Sequence, residues 1–181
     1  MKNKLTIITA IAVGSFCLTG AATAQNPRTY PALRGAGSPA AEKAKKGSAL
    51  SAKDKTFMMN AAKGGMMEVQ WGKMAAQDGK SADVKKFGNR MVTDHSKANN
   101  ELMGLAKEEG VTLPSEKASG KWKSDKDYMD MMVKDHEKDL AEFQGEAKNG
   151  SDPDLKKFAD KYSKMVQKHL DLAKETQGKL K

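Results

Sequence analysis

The chain has 181 residues, a formal net charge of +9 at pH 7 and a single cysteine. This length suits one domain with a substantial core. Aromatic residues make up only 6% of the chain, too few for the base-stacking surfaces of single-strand nucleic-acid-binding proteins. It contains no P-loop, dinucleotide fingerprint, H-E-x-x-H motif or hydrolase nucleophile motif, so no motif points to an enzyme.

Residues 1–24 predict a cleaved export signal. Lys2 and Lys4 precede an apolar run that is too short to span a membrane, and Ala22-Thr23-Ala24 matches the small-x-small cleavage rule. Cys17, the only cysteine, lies in this run. We therefore expect a mature chain without disulfides, thiolate metal sites or a transmembrane segment, located in the periplasm or associated with the outer membrane. Export also argues against nucleic acid as a partner.

Residues 25–50 predict a disordered basic tail, rich in proline, glycine, alanine and serine and without apolar periodicity. Such a tail could tether the chain to an anionic surface of the cell envelope. The simpler interpretation of the chain's many lysines is that they keep helix surfaces soluble.

Residues 51–181 show the apolar periodicity of four amphipathic helices and no strand pattern. A connection containing Pro114 and Gly120 separates the second helix from the third, and its length suits a crossover rather than a hairpin. The pattern predicts an all-α, antiparallel four-helix bundle. The helices are expected at about residues 51–77, 81–109, 125–149 and 153–176, preceded or opened by Ser51, Ser81, Ser124 and Asp152 as N-caps.

One phrase occurs three times and contains every histidine of the chain. In each copy the histidine follows a Met-Val pair, four residues after the methionine. Four residues is about one helical turn, so each histidine is expected on the same inward face as its methionine. The three copies are Met91-Val92-Thr93-Asp94-His95, Met132-Val133-Lys134-Asp135-His136 and Met165-Val166-Gln167-Lys168-His169.

The first helix places a carboxylate, Glu68, on its inward face between Gly65 and Gly72. Helix-interior glycines cost roughly 1 kcal/mol each relative to alanine, so they need a structural reason. Either the helix approaches a neighbour closely, or the glycines leave room for an ion or water beside Glu68.

Each helix thus contributes one ionisable side chain to the core, near the middle of the bundle: Glu68, His95, His136 and His169. Burial of an isolated carboxylate is costly, so Glu68 needs a partner. One interpretation is a divalent transition-metal site, with Zn, Cu, Fe or Ni held by these four residues. The other is a metal-free hydrogen-bond network of the histidines with Glu68, Tyr128 or Tyr162.

Several phrases, in this order and spacing, resemble the exported bacterial proteins grouped as domain of unknown function 4142 and labelled predicted outer membrane proteins. The resemblance covers about residues 51–176 and implies a ferritin-like bundle and an envelope location, with no assigned activity. Val92, Val133 and Val166 stand three residues before the histidines, so the Glu-x-x-His signature of di-iron ferritin-like proteins is absent. The matching phrases are Gly65-Met66-Met67-Glu68-Val69, Phe87 with Met91 to His95, Gly110-Val111-Thr112-Leu113-Pro114, Asp125-Lys126-Asp127-Tyr128 leading to His136, and Asp152-Pro153-Asp154-Leu155 leading to His169.

The sequence therefore supports two hypotheses of different class, while a third, an enzyme, has only the fold analogy behind it. The first is an exported binding module that holds a metal in its core for storage, buffering or sensing. The second is a non-enzymatic structural or interaction protein of the envelope, whose core polar residues form a metal-free network and whose basic tail contacts an anionic surface. No feature names a protein partner or an oligomeric state.

Overall fold

The computed structural model describes residues 50–115 and 120–180. The predicted export signal and all of the predicted tail except Leu50 lie outside these ranges. The described residues form four helices and no strand, which confirms the predicted all-α four-helix bundle. None of these helices is long and apolar enough to cross a membrane. The helices are α1 (Ala52–Asp78), α2 (Ala82–Glu108), α3 (Asp125–Asn149) and α4 (Pro153–Lys179).

A side chain caps the first turn of every helix. The hydroxyl groups of Ser51, Ser81 and Ser124 and the carboxylate of Asp152 each accept at least one backbone N–H. These contacts satisfy donors that a helix leaves unpaired at its N-terminus. At its C-terminal end, α4 continues three residues past the predicted end at 176, because Thr176 is buried and Leu180 packs against the core.

The chain folds as two helical hairpins, α1 with α2 and α3 with α4. The hairpins meet where α1 contacts α3 and where α2 contacts α4. Asp125, the first residue of α3, contacts the turn that precedes α2, so α3 begins at the bundle end opposite to the end of α2. The connection between α2 and α3 must therefore span the length of α2, about 40 Å for its 27 residues. All neighbouring helices are antiparallel.

Two aspartates join the hairpins by what we call the reciprocal clamps. The carboxylate of Asp125 in α3 accepts the N–H of Lys80 at 2.9 Å and that of Ser81 at 2.6 Å, in the turn between α1 and α2. The carboxylate of Asp54 in α1 accepts the N–H of Ser151 at 3.0 Å and that of the following residue at 3.1 Å, in the turn between α3 and α4. Each hairpin thus completes the turn of the other, as an approximate two-fold relation between them requires.

The apolar core consists of two clusters separated along the bundle. One is built around Phe57, Leu102 and Phe158, and the other around Phe87 and Met129. The four predicted polar residues lie between these clusters in sequence on every helix. The bundle therefore has a polar layer near its middle, enclosed by apolar side chains at both ends.

The methionines of all three Met-Val-His phrases lie on the inward faces of their helices, as predicted. Met91 and Met132 are fully buried. Met165 is only partly buried, but it packs against the apolar cluster around Phe57, and its neighbour Val166 is buried as well. The buried face of α4 is therefore wider than the phrase alone predicts.

The glycines of α1 are explained by close helix approach. A Cβ atom on Gly72 would lie 2.7 Å from the carbonyl oxygen of Gly88 in α2, and a Cβ atom on Gly88 would lie 2.6 Å from the carbonyl oxygen of Gly72. Gly65 similarly faces Asn99, whose side chain occupies the space that a Cβ atom would need. Both predicted glycine positions thus let α2 approach closely.

We expect Gly88→Ala to lower the free energy of unfolding by about 1–3 kcal/mol, because the added methyl group meets backbone atoms that cannot move independently. Gly104→Ala in the same helix is the matched control. A Cβ atom there would meet no atom within 4 Å, so the substitution should raise stability by up to about 1 kcal/mol. Urea unfolding measures both. Equal stability of Gly88→Ala and the wild type would contradict the close approach.

A second buried carboxyl group lies beside one reciprocal clamp. Glu146 in α3 is only 2% exposed and faces Asp54. Burial raises the pKa of Glu146 to about 7, and the negative charge of Asp54 adds to the shift. Burial also acts to raise the pKa of Asp54, but hydrogen bonds from the turn at Ser151 hold it below its usual value. The pair therefore favours one shared proton at neutral pH or below.

We expect Glu146→Gln to become progressively more stable than the wild type as the pH rises from about 4.5 to about 7. The folded protein holds the proton of Glu146 more tightly than the unfolded chain, so wild-type stability from this group is lost as the pH rises through that window. The glutamine amide can donate to Asp54 at any pH. The measurement is the difference in unfolding free energy between the two proteins at pH 5 and pH 8. A pH-independent difference would refute the shift.

Candidate metal centre

The structure brings all four sequence-predicted residues together in the polar layer. Glu68 comes from α1, His95 from α2, His136 from α3 and His169 from α4. Each residue is at most 5% exposed. The four side chains, which helical spacing placed on inward faces, therefore meet at one level of the bundle.

Glu68 contacts two of the three histidines. Its Oε2 atom lies 2.7 Å from His95 Nδ1, a short charge-assisted contact. Its Oε1 atom lies 3.3 Å from His136 Nε2, but the two groups are not aligned for a hydrogen bond. Both of these atoms are buried without a hydrogen-bond partner among the described residues. Unpaired polar atoms of this kind are rare and need an explanation.

A carboxylate that the sequence analysis did not select, Asp94, completes the site on the other side. Its Oδ2 atom lies 2.9 Å from His169 Nε2 and also accepts a hydrogen bond from Arg90 Nε at 3.2 Å. Burial acts to raise the pKa of Asp94, but the contacts with His169 and Arg90 hold it below its usual value. Asp94 is therefore an ionised acceptor for the N–H of His169.

Each histidine has one ring nitrogen anchored by an oxygen atom. The carbonyl oxygen of Met132 lies 2.8 Å from His136 Nδ1 and can only accept, so this nitrogen carries the proton. Asp94 fixes the proton of His169 on Nε2 in the same way, and ionised Glu68 would fix that of His95 on Nδ1. These tautomers, inferred from the partners, leave His95 Nε2, His136 Nε2 and His169 Nδ1 with unshared lone pairs.

The unanchored nitrogens face one another. His95 Nε2 and His169 Nδ1 are 3.2 Å apart. One ring nitrogen from each of the three histidines lies within 4.8 Å of the other two. Two imidazole nitrogens bound to one tetrahedral zinc ion lie about 3.4 Å apart, given zinc–nitrogen distances of about 2.0–2.1 Å. The His95–His169 pair is close to this spacing, and no pair in the set of three is more than 4.8 Å apart.

The cluster has fewer protons than it has short contacts. Glu68–His95, Glu68–His136 and His95–His169 each place two potential acceptors face to face. Neutral His136 donates its ring proton to the carbonyl oxygen of Met132, and neutral His169 donates its ring proton to Asp94. Only Glu68 and His95 can then supply protons to the three contacts. Together they supply two when the cluster carries no net positive charge. In one of the three contacts two lone pairs then face each other with no proton between them, unless a cation lies there.

A third proton would have to charge one of the imidazoles, and burial makes this charge costly. It lowers the pKa of His95 and of His169 to about 4, and it lowers the pKa of His136 despite the opposing charge of Glu68. Burial also raises the pKa of Glu68 to about 7, because it disfavours the ionised carboxylate. The site thus favours neutral imidazoles at neutral pH, which is the form that binds transition metals.

The two tyrosines considered for a metal-free network do not bond to the histidines. The hydroxyl group of Tyr162 donates to Glu101 Oε2 at 2.8 Å. That of Tyr128 is buried with no hydrogen-bond partner among the described residues. Any metal-free network therefore rests on Glu68, Asp94 and the carbonyl oxygen of Met132 as acceptors.

A family model places the chain among known sequences. The model described as "Domain of unknown function (DUF4142)" matches residues 39–176. The chain belongs to the DUF4142 family. The DUF4142 match includes Glu68 and the three histidines together with Asp94, so the whole polar layer belongs to the shared domain. No curated protein and no solved structure matches the chain significantly.

Proposed function

We propose that this DUF4142 protein binds one divalent transition-metal ion in its polar layer, in the cell envelope outside the cytoplasm. The observation that carries the proposal is the arrangement of the three histidines. Each has one ring nitrogen held by an oxygen atom of the protein, and one buried ring nitrogen of each lies within 4.8 Å of the other two. Metal-binding histidines typically have this outer support.

The donor set favours a narrow group of ions. Three imidazoles suit Zn, Cu, Fe or Ni rather than magnesium or calcium, which prefer oxygen ligands. In this proposal His95, His136 and His169 are the ligands. Glu68 and Asp94 contact the other ring nitrogens of His95 and His169 and so orient these rings. Glu68 thus supports a ligand from outside, whereas the sequence predicted that Glu68 itself binds the ion. A fourth position remains for water.

The proposed role is storage, buffering or sensing, rather than catalysis. The Glu-x-x-His motifs that build di-iron sites in ferritin-like bundles are absent, because valine occupies each corresponding position. The envelope location rests on the predicted export signal of residues 1–24, and the predicted basic tail would hold the protein near anionic surfaces.

Elemental analysis tests the centre. The protein is purified without a polyhistidine tag and dialysed against Zn²⁺, Cu²⁺, Ni²⁺ or Fe²⁺ in separate samples. We expect about one ion per chain, bound tightly enough to raise the unfolding free energy by roughly 3 kcal/mol at a free-ion concentration 100 times the dissociation constant. His95→Ala and His136→Ala should lose the ion while remaining helical by circular dichroism.

Tyr162→Phe is the control for these variants, since it removes a hydroxyl group whose partner, Glu101, lies outside the centre. It should retain full metal content. A folded wild-type protein that takes up none of the four ions would refute the proposal. The polar layer would then be core architecture, as the alternative hypothesis of a metal-free envelope protein requires.

Glu68→Gln separates an outer partner from a ligand. We expect the variant to bind one ion per chain with an affinity about 10–100-fold lower, because the glutamine can still accept the N–H of His95 but carries no charge. Competition with a chromophoric chelator measures this affinity. A loss as complete as that in His136→Ala would instead make Glu68 a ligand.

A further inference from the structure

An open cavity between α1 and α3 leads from the surface to the polar layer. Its volume is about 250 Å³, and its inner wall includes Glu68. Glu68 and Asp139 also line a much smaller inner cavity of about 20 Å³ that contacts His95. These two carboxyl groups therefore stand between the solvent-filled cavity and the histidines.

The charge of this cavity is unbalanced. Four carboxyl groups line it, those of Glu68, Asp135, Asp139 and Glu142, against the two ammonium groups of Lys63 and Lys138. Burial raises the pKa of Asp139 to about 8, and the negative charges of Glu68, Glu142 and Asp135 add to this shift. Carboxylates that repel one another in this way are relieved by a cation in the space between them.

The inner end of the cavity offers atoms that a cation would satisfy. Glu68 is 4% exposed, and its Oε1 atom has no hydrogen-bond partner among the described residues. The same holds for His136 Nε2, which lies 3.3 Å away and belongs to the histidine centre. A cation that passes Asp139 therefore meets a free carboxylate oxygen and then a free imidazole nitrogen.

We propose that this acid-lined cavity is the port through which a divalent cation reaches the histidine centre, with Asp139 receiving the ion and Glu68 passing it to His136. The inference rests on the proposed metal-binding function. It adds a route and assigns a positioning role to Asp139, outside the group of residues that hold the ion.

The opposite side of the bundle is a poorer route. A cavity between α2 and α4 reaches Asp94, but three cationic side chains, Lys86, Arg90 and Lys179, balance its three carboxylates. Arg90 also covers Asp94 through a direct hydrogen bond. This cavity therefore has no surplus charge to attract a cation.

Gly64 keeps the acid-lined cavity open. A Cβ atom on this residue would make an ordinary contact, 3.7 Å from Asp139 Oδ2, so a small side chain fits and a longer one would fill the cavity. Gly64→Leu is therefore a plug that leaves every proposed ligand unchanged. Gly104→Leu is the matched control, because a side chain at that exposed helical position meets open space.

The test is stopped-flow absorbance with Co²⁺, whose visible spectrum reports binding to the histidines. We expect Gly64→Leu to slow association and dissociation about equally, by tenfold or so, and to leave the dissociation constant within about twofold of wild type, as a blocked route requires. Above pH 8, where Asp139 is ionised, Asp139→Asn should slow association by about 3–10-fold at low salt, with a smaller effect at 0.5 M salt. Asp171→Asn, on an exposed aspartate outside the cavity, should not change the rates.

The outcomes separate the port from the centre. If Co²⁺ binds at equilibrium and requires His136, but Gly64→Leu and Asp139→Asn equilibrate as fast as wild type, the port is refuted while the centre stands. Slowing by Glu175→Gln instead, in the cavity between α2 and α4, would also refute it by placing the route on the other side. If Co²⁺ and the four other ions all fail to bind the wild type, the centre and the port are refuted together.

Discussion

The bundle is organised around the cost of burying one carboxylate. Glu68 lies at the middle of α1 with apolar clusters on both sides along the helix axis, where an isolated charge would be strongly destabilising. Three histidines from the other three helices surround it, so every helix must keep its rotation and its height for the site to form. A slip of one residue would turn a ring away by about 100°. The polar layer thus specifies the register of the bundle more sharply than the apolar clusters can.

The same layer connects fold and chemistry through its outer acceptors. Asp94, Glu68 and the carbonyl oxygen of Met132 each hold one ring nitrogen, and so decide which nitrogen of each histidine is available. A set of histidines without such anchors would be free to rotate and to share protons. Here the anchors orient the lone pairs toward one space. In the proposed metal-binding function this fixed orientation would lower the cost of binding, because the rings need not be ordered when the ion arrives.

Sequence periodicity found the four helices and the four polar residues, because both depend on spacing within one helix. His95 could be placed on an inward face from its own neighbours alone. Asp94 was missed because it lies one residue to the side, about 100° around the helix, and matters only through its contact with His169 on α4. An aspartate precedes the histidine in two of the three repeated phrases, and this was the one available signal. The contact of Asp54 with a turn 97 residues away had no signal of this kind.

The reciprocal clamps bear on the order in which the chain can fold during synthesis. The first hairpin leaves the ribosome with the N–H groups of Lys80 and Ser81 facing water, since their acceptor, Asp125, is made some 45 residues later. The second hairpin finds its own acceptor, Asp54, already made. The late hairpin can therefore dock onto a waiting partner, whereas the early one stays incomplete until the crossover has been traversed. Neither clamp can form until both hairpins are present.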